Sequence, residues 1–189
     1  MLYRSSFVMY DRQTESRWIH ATGRCVSGPL AGKVLETIPS RVMPWKTWRA
    51  LHPTTRVLDG LPHRGRPGTF RLATDEGEFA YALEIDGISR LYPVSELKKR
   101  GVINDVVAKR PVLIMYSQSP RVAQAFERGD RRFEIVGGQL QDEEGHVYDP
   151  LEPRHPRTGK RLKPVVLTPW LTKPWFGLHP DGQVFGLGE

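Results

Sequence analysis

The sequence predicts a mainly β protein with a minor helical share, built from two tandem homologous β-rich units of which the first is incomplete. Three observations predict it. Eighteen Gly and 16 Pro among 189 residues favour many turns over long helices. Short runs of β-branched and aromatic residues alternate with turn signals. One hexapeptide is written nearly twice, WRALHP at 48–53 and WFGLHP at 175–180, each with Gly-Lys-x-Leu beginning sixteen residues before it.

Displacing the sequence by 127 positions lays 32–58 on 159–185 without a gap. Nine of the 27 positions agree: Gly32/Gly159, Lys33/Lys160, Leu35/Leu162, Lys46/Lys173, Trp48/Trp175, Leu51/Leu178, His52/His179, Pro53/Pro180 and Val57/Val184. Ordinary residue usage would give about two, so the pattern reads as an internal repeat. In each unit a short apolar strand (34–42; 161–168) follows Gly-Lys. A helix of one or two turns comes next, introduced by Pro and stopped by the following Pro, and then a returning strand (55–58; 183–185). Trp48 and Leu51 share a helix face, as do Trp175 and Leu178, so each helix is expected to plug the end of a sheet.

Ahead of the second Tyr-Asp pair, at 148–149, the chain reads as continuous sheet. Residues 79–94 form a hairpin around Asp86-Gly87, 95–101 a short helix, 110–116 a buried strand, and 121–140 two more strands around turns. Before Tyr10 only nine residues stand, so the first unit lacks about sixty residues of sheet that the second possesses. The division expected is 1–60 as the C-terminal half of a first repeat, 61–75 as a linker, and 76–189 as a second, complete but degenerate repeat. The reading favours a fragment of a longer protein. Otherwise the open sheet edge at residues 2–10 would invite self-association.

Composition excludes several chemistries. No apolar run reaches the roughly 18–20 residues that span a bilayer, and the N-terminus has neither an h-region nor a cleavage site, which makes cytoplasm the default compartment. Cys25 is the one cysteine, so an internal disulfide, a Cys-x-x-Cys pair and a thiolate zinc site are excluded within one copy. No GxSxG, HExxH, Walker or GxGxxG motif is present. No cofactor and no metal is therefore expected. The net charge of +7 favours anionic partners, and the densest basic stretch, 154–163, holds Arg154, Arg157, Lys160, Arg161 and Lys163 between Tyr148 and Trp170. That stretch could track a nucleic-acid backbone or another polyanion. Its Pro and Gly residues read more simply as a solvated loop.

Residues 2–18, "ATGRCVSGPLAGKVLE" at 21–36 and "PSRVMPWKTWRALHPTTRVL" at 39–58 closely resemble the bacterial and archaeal proteins grouped as domain of unknown function 3179. Residues 86–116, "FEIVGGQLQDEEGHVYD" at 133–149 and "WFGLHPDGQVF" at 175–185 resemble the second repeat of that family. The resemblance implies that a first repeat normally carries a strand ending in Tyr-Cys-Pro-Leu-Cys, upstream of this chain's first residues. A Cys-x-x-Cys pair at a strand end implies redox or thiol chemistry. The matching strand here has Ser117 and Pro120 at the two cysteine positions. The implied function is a non-catalytic portion whose redox-type thiol motif lies outside the chain.

Three side-chain groups are candidates in their own right. Tyr10, Asp11, Trp18, His20, Cys25, Trp48 and His52 are expected to border a small-molecule pocket, with an enzyme role of unknown class as one alternative. Cys25, in a strand flanked by glycines, reads as a small buried side chain. His52 and His179 stand at equivalent helix C-termini, where an imidazole is favourably placed for simple electrostatic reasons. The basic residues 154–163 support the other alternative, a polyanion-binding module.

Overall fold

The computed structural model describes residues 2–4, 6–40, 43–57, 79–118 and 121–187. The expected linker 61–75 and Pro120 lie outside them. The N-terminal strands form a first antiparallel meander of β1 (Leu2–Tyr3), β2 (Ser6–Tyr10), β3 (Arg17–Ile19) and β4 (Cys25–Ser27), in that spatial order. Helix α1 (Trp45–Leu51) follows. Residues 79–187 contain β5 (Phe79–Ile85), β6 (Ile88–Pro93), α2 (Val94–Arg100), β7 (Val102–Val107), β8 (Arg110–Gln118), β9 (Arg121–Glu127), β10 (Phe133–Val136), β11 (Gln139–Asp142), β12 (Val147–Tyr148), β13 (Lys163–Val165), β14 (Thr168–Leu171), α3 (Thr172–Leu178) and β15 (Gln183–Val184). The fold is mainly β. No helix among the described residues is long and apolar enough to cross a membrane.

Local chemistry sets these elements. Asp86 and Gly87 both adopt positive φ, 48° and 80°, the conformation a two-residue hairpin needs to match strand twist. Helix α2 starts after Pro93 and stops at Gly101, φ 69°, with Lys98, Lys99 and Arg100 in its last turn, where cations oppose the helix dipole. Residues 121–140, expected as two strands, hold β9, β10 and the start of β11, because Gly137 and Gly138, both at positive φ, turn the chain once more.

Of the strand expected over 34–42, residues 41 and 42 lie outside the described residues; Val34 forms a single bridge to Arg24, and residues 35–40 form none. The bridge is made by Arg24, just before β4, and Pro39 has no N–H to extend a ladder. Residues 55–57 likewise form no strand. Their counterparts Gln183 and Val184 pair in parallel with Arg90 and Leu91 of β6 and so occupy that edge.

The strands stack in layers. Sheet β14-β5-β6-β15 faces sheet β13-β9-β8-β7 across a core that includes Leu83, Tyr92, Leu97, Val112, Ile114 and Phe185. On the outer side of the second sheet, Leu113, Met115 and Phe126 pack against Phe133, Leu140 and Tyr148 of the β10-β11-β12 meander. On the outer side of the first, Ala80, Ala82, Leu91, Trp170 and Trp175 form a third cluster, reached by Ala21 of the first meander. Each large apolar side chain buried this way contributes about 1.5–3 kcal/mol. The buried Asp105 carboxylate accepts from Arg90 at 2.7 Å and Tyr92 Oη at 2.8 Å, which satisfies a charge that would otherwise be costly.

The same local bonds recur in both halves. The Cys25 N–H donates to Lys33 O (2.8 Å) and the His155 N–H to Lys160 O (2.9 Å); Leu35 donates to Gly23 O (3.0 Å) and Leu162 to Pro153 O (2.9 Å). Both Trp helices are seven residues long and end on a histidine of nearly equal φ/ψ, −131/70° at His52 and −125/70° at His179. Their packing differs. Trp175 is wholly buried, whereas α1 buries none of its residues, so the expected plug forms at α3 and not at α1. Gly182 lets the Trp175 ring lie directly over its backbone. Thr55 stands at the corresponding place and instead accepts the Trp48 indole N–H at 2.9 Å.

Candidate functional site

A cleft of about 720 Å³ separates the first meander from sheet β14-β5-β6-β15 and α3. One wall carries Arg4 and Arg24; the other carries Glu84, Ser89, Trp175 and His179. Strand alternation explains the first wall. Val8 and Ile19 pair across β2 and β3 and face inward, with Ile19 only 2% exposed, while Met9 and Trp18 face outward.

His179 terminates α3, its N–H bonded to Trp175 O at 2.8 Å. Its ring stacks on Trp175 at 5.3 Å and meets Trp170 edge-on at 5.8 Å. Its Nδ1 lies 3.0 Å from Ser89 Oγ, and Ser89 Oγ also lies 3.4 Å from Glu84 Oε2. Burial pushes the imidazole pKa below its ordinary value, with the Glu84 carboxylate pulling weakly the other way. The ring is therefore neutral at pH 7, with one nitrogen to donate and one to accept. Asp86, also on this wall, is paired with Arg110 at 3.3 Å. The cleft thus sets guanidinium groups against a carboxylate and a hydroxyl–imidazole pair on an aromatic floor.

The residues expected to share a pocket are divided by the fold. The Trp18 indole N–H donates to Asp11 Oδ2 at 3.0 Å, and Trp18 pairs in register with Cys25. Cys25 is 2% exposed and its thiol donates to Ser27 O, which suits a small interior side chain. Tyr10 is 69% exposed, and His20 is exposed beside the turn after β3. Trp48 and His52, their rings 4.1 Å apart, line a different groove of about 530 Å³ shared with Phe126, Pro164 and Leu167. In the basic stretch, Arg161 pairs with Glu152 at 3.3 Å, Lys163 with Glu127 at 2.8 Å, and Arg154 donates to Gly159 O. Sequence reading named His179 but missed Ser89, Glu84, Arg4 and Arg24. They come from separate segments and form no linear motif.

Asp142, His146 and His155 bring three ligand-type atoms within 4.8 Å of one another. Their hydrogen bonds decide what the trio can do. The Asp142 carboxylate accepts from the N–H groups of Glu144 and His146, from Tyr148 Oη (3.0 Å) and from His146 Nδ1 (3.2 Å). Burial raises the Asp142 pKa, but these donors outweigh it and hold it below the ordinary carboxylate value. Burial, helped by the same pairing, pushes the Tyr148 phenol up to about 12.

A carboxylate only accepts, so the proton at the Asp142–His146 contact sits on His146 Nδ1. His155 Nδ1 accepts the N–H groups of Arg157 and Thr158, which leaves its proton on Nε2. Of the three side chains, only His146 Nε2 keeps an uncommitted lone pair, and it is buried without a partner. One lone pair does not make a coordination site. The trio instead locks turn 142–146 onto loop 155–160.

Residues 1–72 match the model of a protein family described as "Protein of unknown function (DUF3179)". The match covers the first meander, α1 and the stretch where the motifs are most specific. No curated protein and no solved structure matches the chain. At the place of the family-like cysteine pair, Ser117 lies near the end of β8, opposite Val122.

Proposed function

We propose that this chain is a non-catalytic, ligand-binding portion of a protein similar to the DUF3179 family, with the redox-type thiol motif carried outside these 189 residues. The cleft carries the reading. Arg4 and Arg24 on one wall face Glu84 and the Ser89–His179 pair on the other, above the Trp170 and Trp175 rings. Such a pair of walls suits a small zwitterion with an apolar side chain: its carboxylate goes to the guanidinium groups, and its ammonium goes to Glu84 and His179. The buried Cys25 thiol and Ser117 at the strand end support a role without thiol chemistry in this chain.

Isothermal titration with L-phenylalanine tests this, with 3-phenylpropionate as the control that lacks the amine. Binding is expected for the amino acid, weakened by Glu84→Gln and by Arg24→Ala. Equal binding of both compounds, or of neither, would overturn the zwitterion reading. A second reading, an enzyme of unknown class, is favoured by one observation. A neutral imidazole 3.0 Å from a hydroxyl is also a base beside a nucleophile. Under that reading a serine-directed fluorophosphonate would label Ser89, and His179→Gln would abolish the labelling.

A further inference from the structure

The outward face of the first meander is apolar and open. Leu2, Phe7 and Met9 lie on it at 62%, 70% and 54% exposure. Leu2 pairs with Phe7, and Met9 pairs with Trp18. The β10-β11-β12 meander presents a matching arrangement: Leu140 pairs with Tyr148, at 0% and 2% exposure.

The two faces share a marker that fixes which side is which. The Trp18 N–H donates to Asp11 Oδ2 at 3.0 Å, and the Tyr148 O–H donates to Asp142 Oδ2 at 3.0 Å. Each aromatic residue stands on the strand after a turn that begins at its aspartate. The Asp11 N–H closes the first turn on Ser16 O, and the Asp142 N–H closes the second on His146 O. Met9 therefore occupies the place of Leu140, two residues before the aspartate and on its side of the strand. Beyond the turns, the backbone bonds of Cys25 and Leu35 continue the match with those of His155 and Leu162.

We infer that the two meanders are copies of one unit, and that the Phe7–Met9–Trp18 face is a docking surface for an antiparallel β-sheet of the β7-β8-β9 kind, supplied by polypeptide outside residues 1–189. In the second meander this place is taken by Leu113, Met115 and Phe126 of β8 and β9. The occupant is thus a sheet with an aliphatic and thioether face, packed at the usual sheet-to-sheet spacing of about 10 Å. A second copy of this chain is a poor occupant, since its own β8–β9 face is already filled by Leu140 and Tyr148. An apolar face this open on a working protein marks an interaction site.

The test uses the full chain with residues 79–131 repeated ahead of Met1 through a Gly/Ser linker, read by hydrogen-peroxide oxidation of each methionine followed by mass spectrometry. In the unaltered chain Met9 is oxidised much faster than Met115, which is 6% exposed. With the added sheet, Met9 is expected to slow to the rate of Met115 and the Trp18 emission to shift to the blue. A second version with Met9→Leu and Trp18→Tyr, the residues of the second meander, removes side-chain mismatch as an explanation. It is read by oxidative footprinting of Phe7. If Met9 in the first version and Phe7 in the second both stay fully reactive, the inference is overturned. Protection of Met9 that rises with concentration in the unaltered chain would also overturn it, by making a second copy the occupant. Ligand uptake in the cleft is measured separately, so either result stands without the other.

Discussion

The Trp18 indole N–H and the Asp11 carboxylate meet at 3.0 Å across the turn between β2 and β3. That bond, with those from the Thr14 N–H and the Thr14 hydroxyl, holds the Asp11 pKa down to about 2. The turn is thus built around an ionised acid, and protonating that acid weakens the side-chain bonds while the backbone bonds from Asp11 N–H to Ser16 O and from Glu15 N–H to Asp11 O remain.

Because the folded pKa lies below the unfolded one, Asp11 contributes stability that is fully present above the unfolded value of about 3.9. The contribution is lost as pH falls through about 2. Asp142 is shifted in the same direction. Urea unfolding followed from pH 5 to pH 2 should show stability falling, and Asp11→Asn should flatten part of that slope. An unchanged slope in the variant would mean that Asp11 titrates alike in both states.

Removing the donor from the buried counterpart is the sharper perturbation. Tyr148→Phe leaves Asp142, whose side chain is fully buried, short of one partner and should cost about 1.5–3 kcal/mol. The check is the urea midpoint at constant m-value.

Leu140 and Met9 occupy equivalent places with opposite surroundings. Leu140→Ala should cost about 2–5 kcal/mol through the cavity it leaves. Met9→Ala in the same chain should stay within about 0.5 kcal/mol, as exposed substitutions do. Thermal unfolding of the two variants measures the contrast.

Gly182→Ala would drive a methyl group into the Trp175 ring. Overpacking of this kind costs about 1–3 kcal/mol, and the loss should be accompanied by a change in the near-ultraviolet circular dichroism of the tryptophans. Gly28, at φ 94° with a would-be Cβ 2.7 Å from Ser16 Cα, should be at least as intolerant.

Zinc offers a check on the Asp142–His146–His155 trio. With the Asp142 carboxylate and His155 Nδ1 committed to protein donors and only His146 Nε2 open, equimolar Zn²⁺ should leave the melting temperature unchanged. A rise that is lost in His146→Ala would show that the committed groups rearrange to bind metal.

Much of this architecture was legible in the residues. Asp86-Gly87 announced its hairpin, Pro93 and Gly101 framed α2, and the WRALHP and WFGLHP hexapeptides announced two matching helices. What stayed hidden depends on neighbours far away in sequence. Whether residues 34–42 form a strand depends on a partner edge, and Val34 found only Arg24. Trp48 and Trp175 look alike in sequence, yet one stays partly exposed and the other is buried in the cluster with Ala80, Ala82, Leu91 and Trp170. The cleft was illegible because Arg4, Arg24, Glu84, Ser89 and His179 converge only after the first meander lies against β5 and β6. The pairing of Asp142 with His146, four residues apart ahead of Tyr148, was the one site-like spacing that a closer reading could have found.

The most direct test of ligand binding in the cleft is nuclear magnetic resonance of the histidine and tryptophan rings. In the free protein the His179 ring should titrate below 6.5, the ordinary histidine value. On addition of L-phenylalanine, the His179 and Trp170 resonances should shift and saturate together, while those of Trp48 and His52 in the other groove stay fixed. Shifts confined to Trp48 and His52, or a His179 ring that ignores the ligand, would contradict the account.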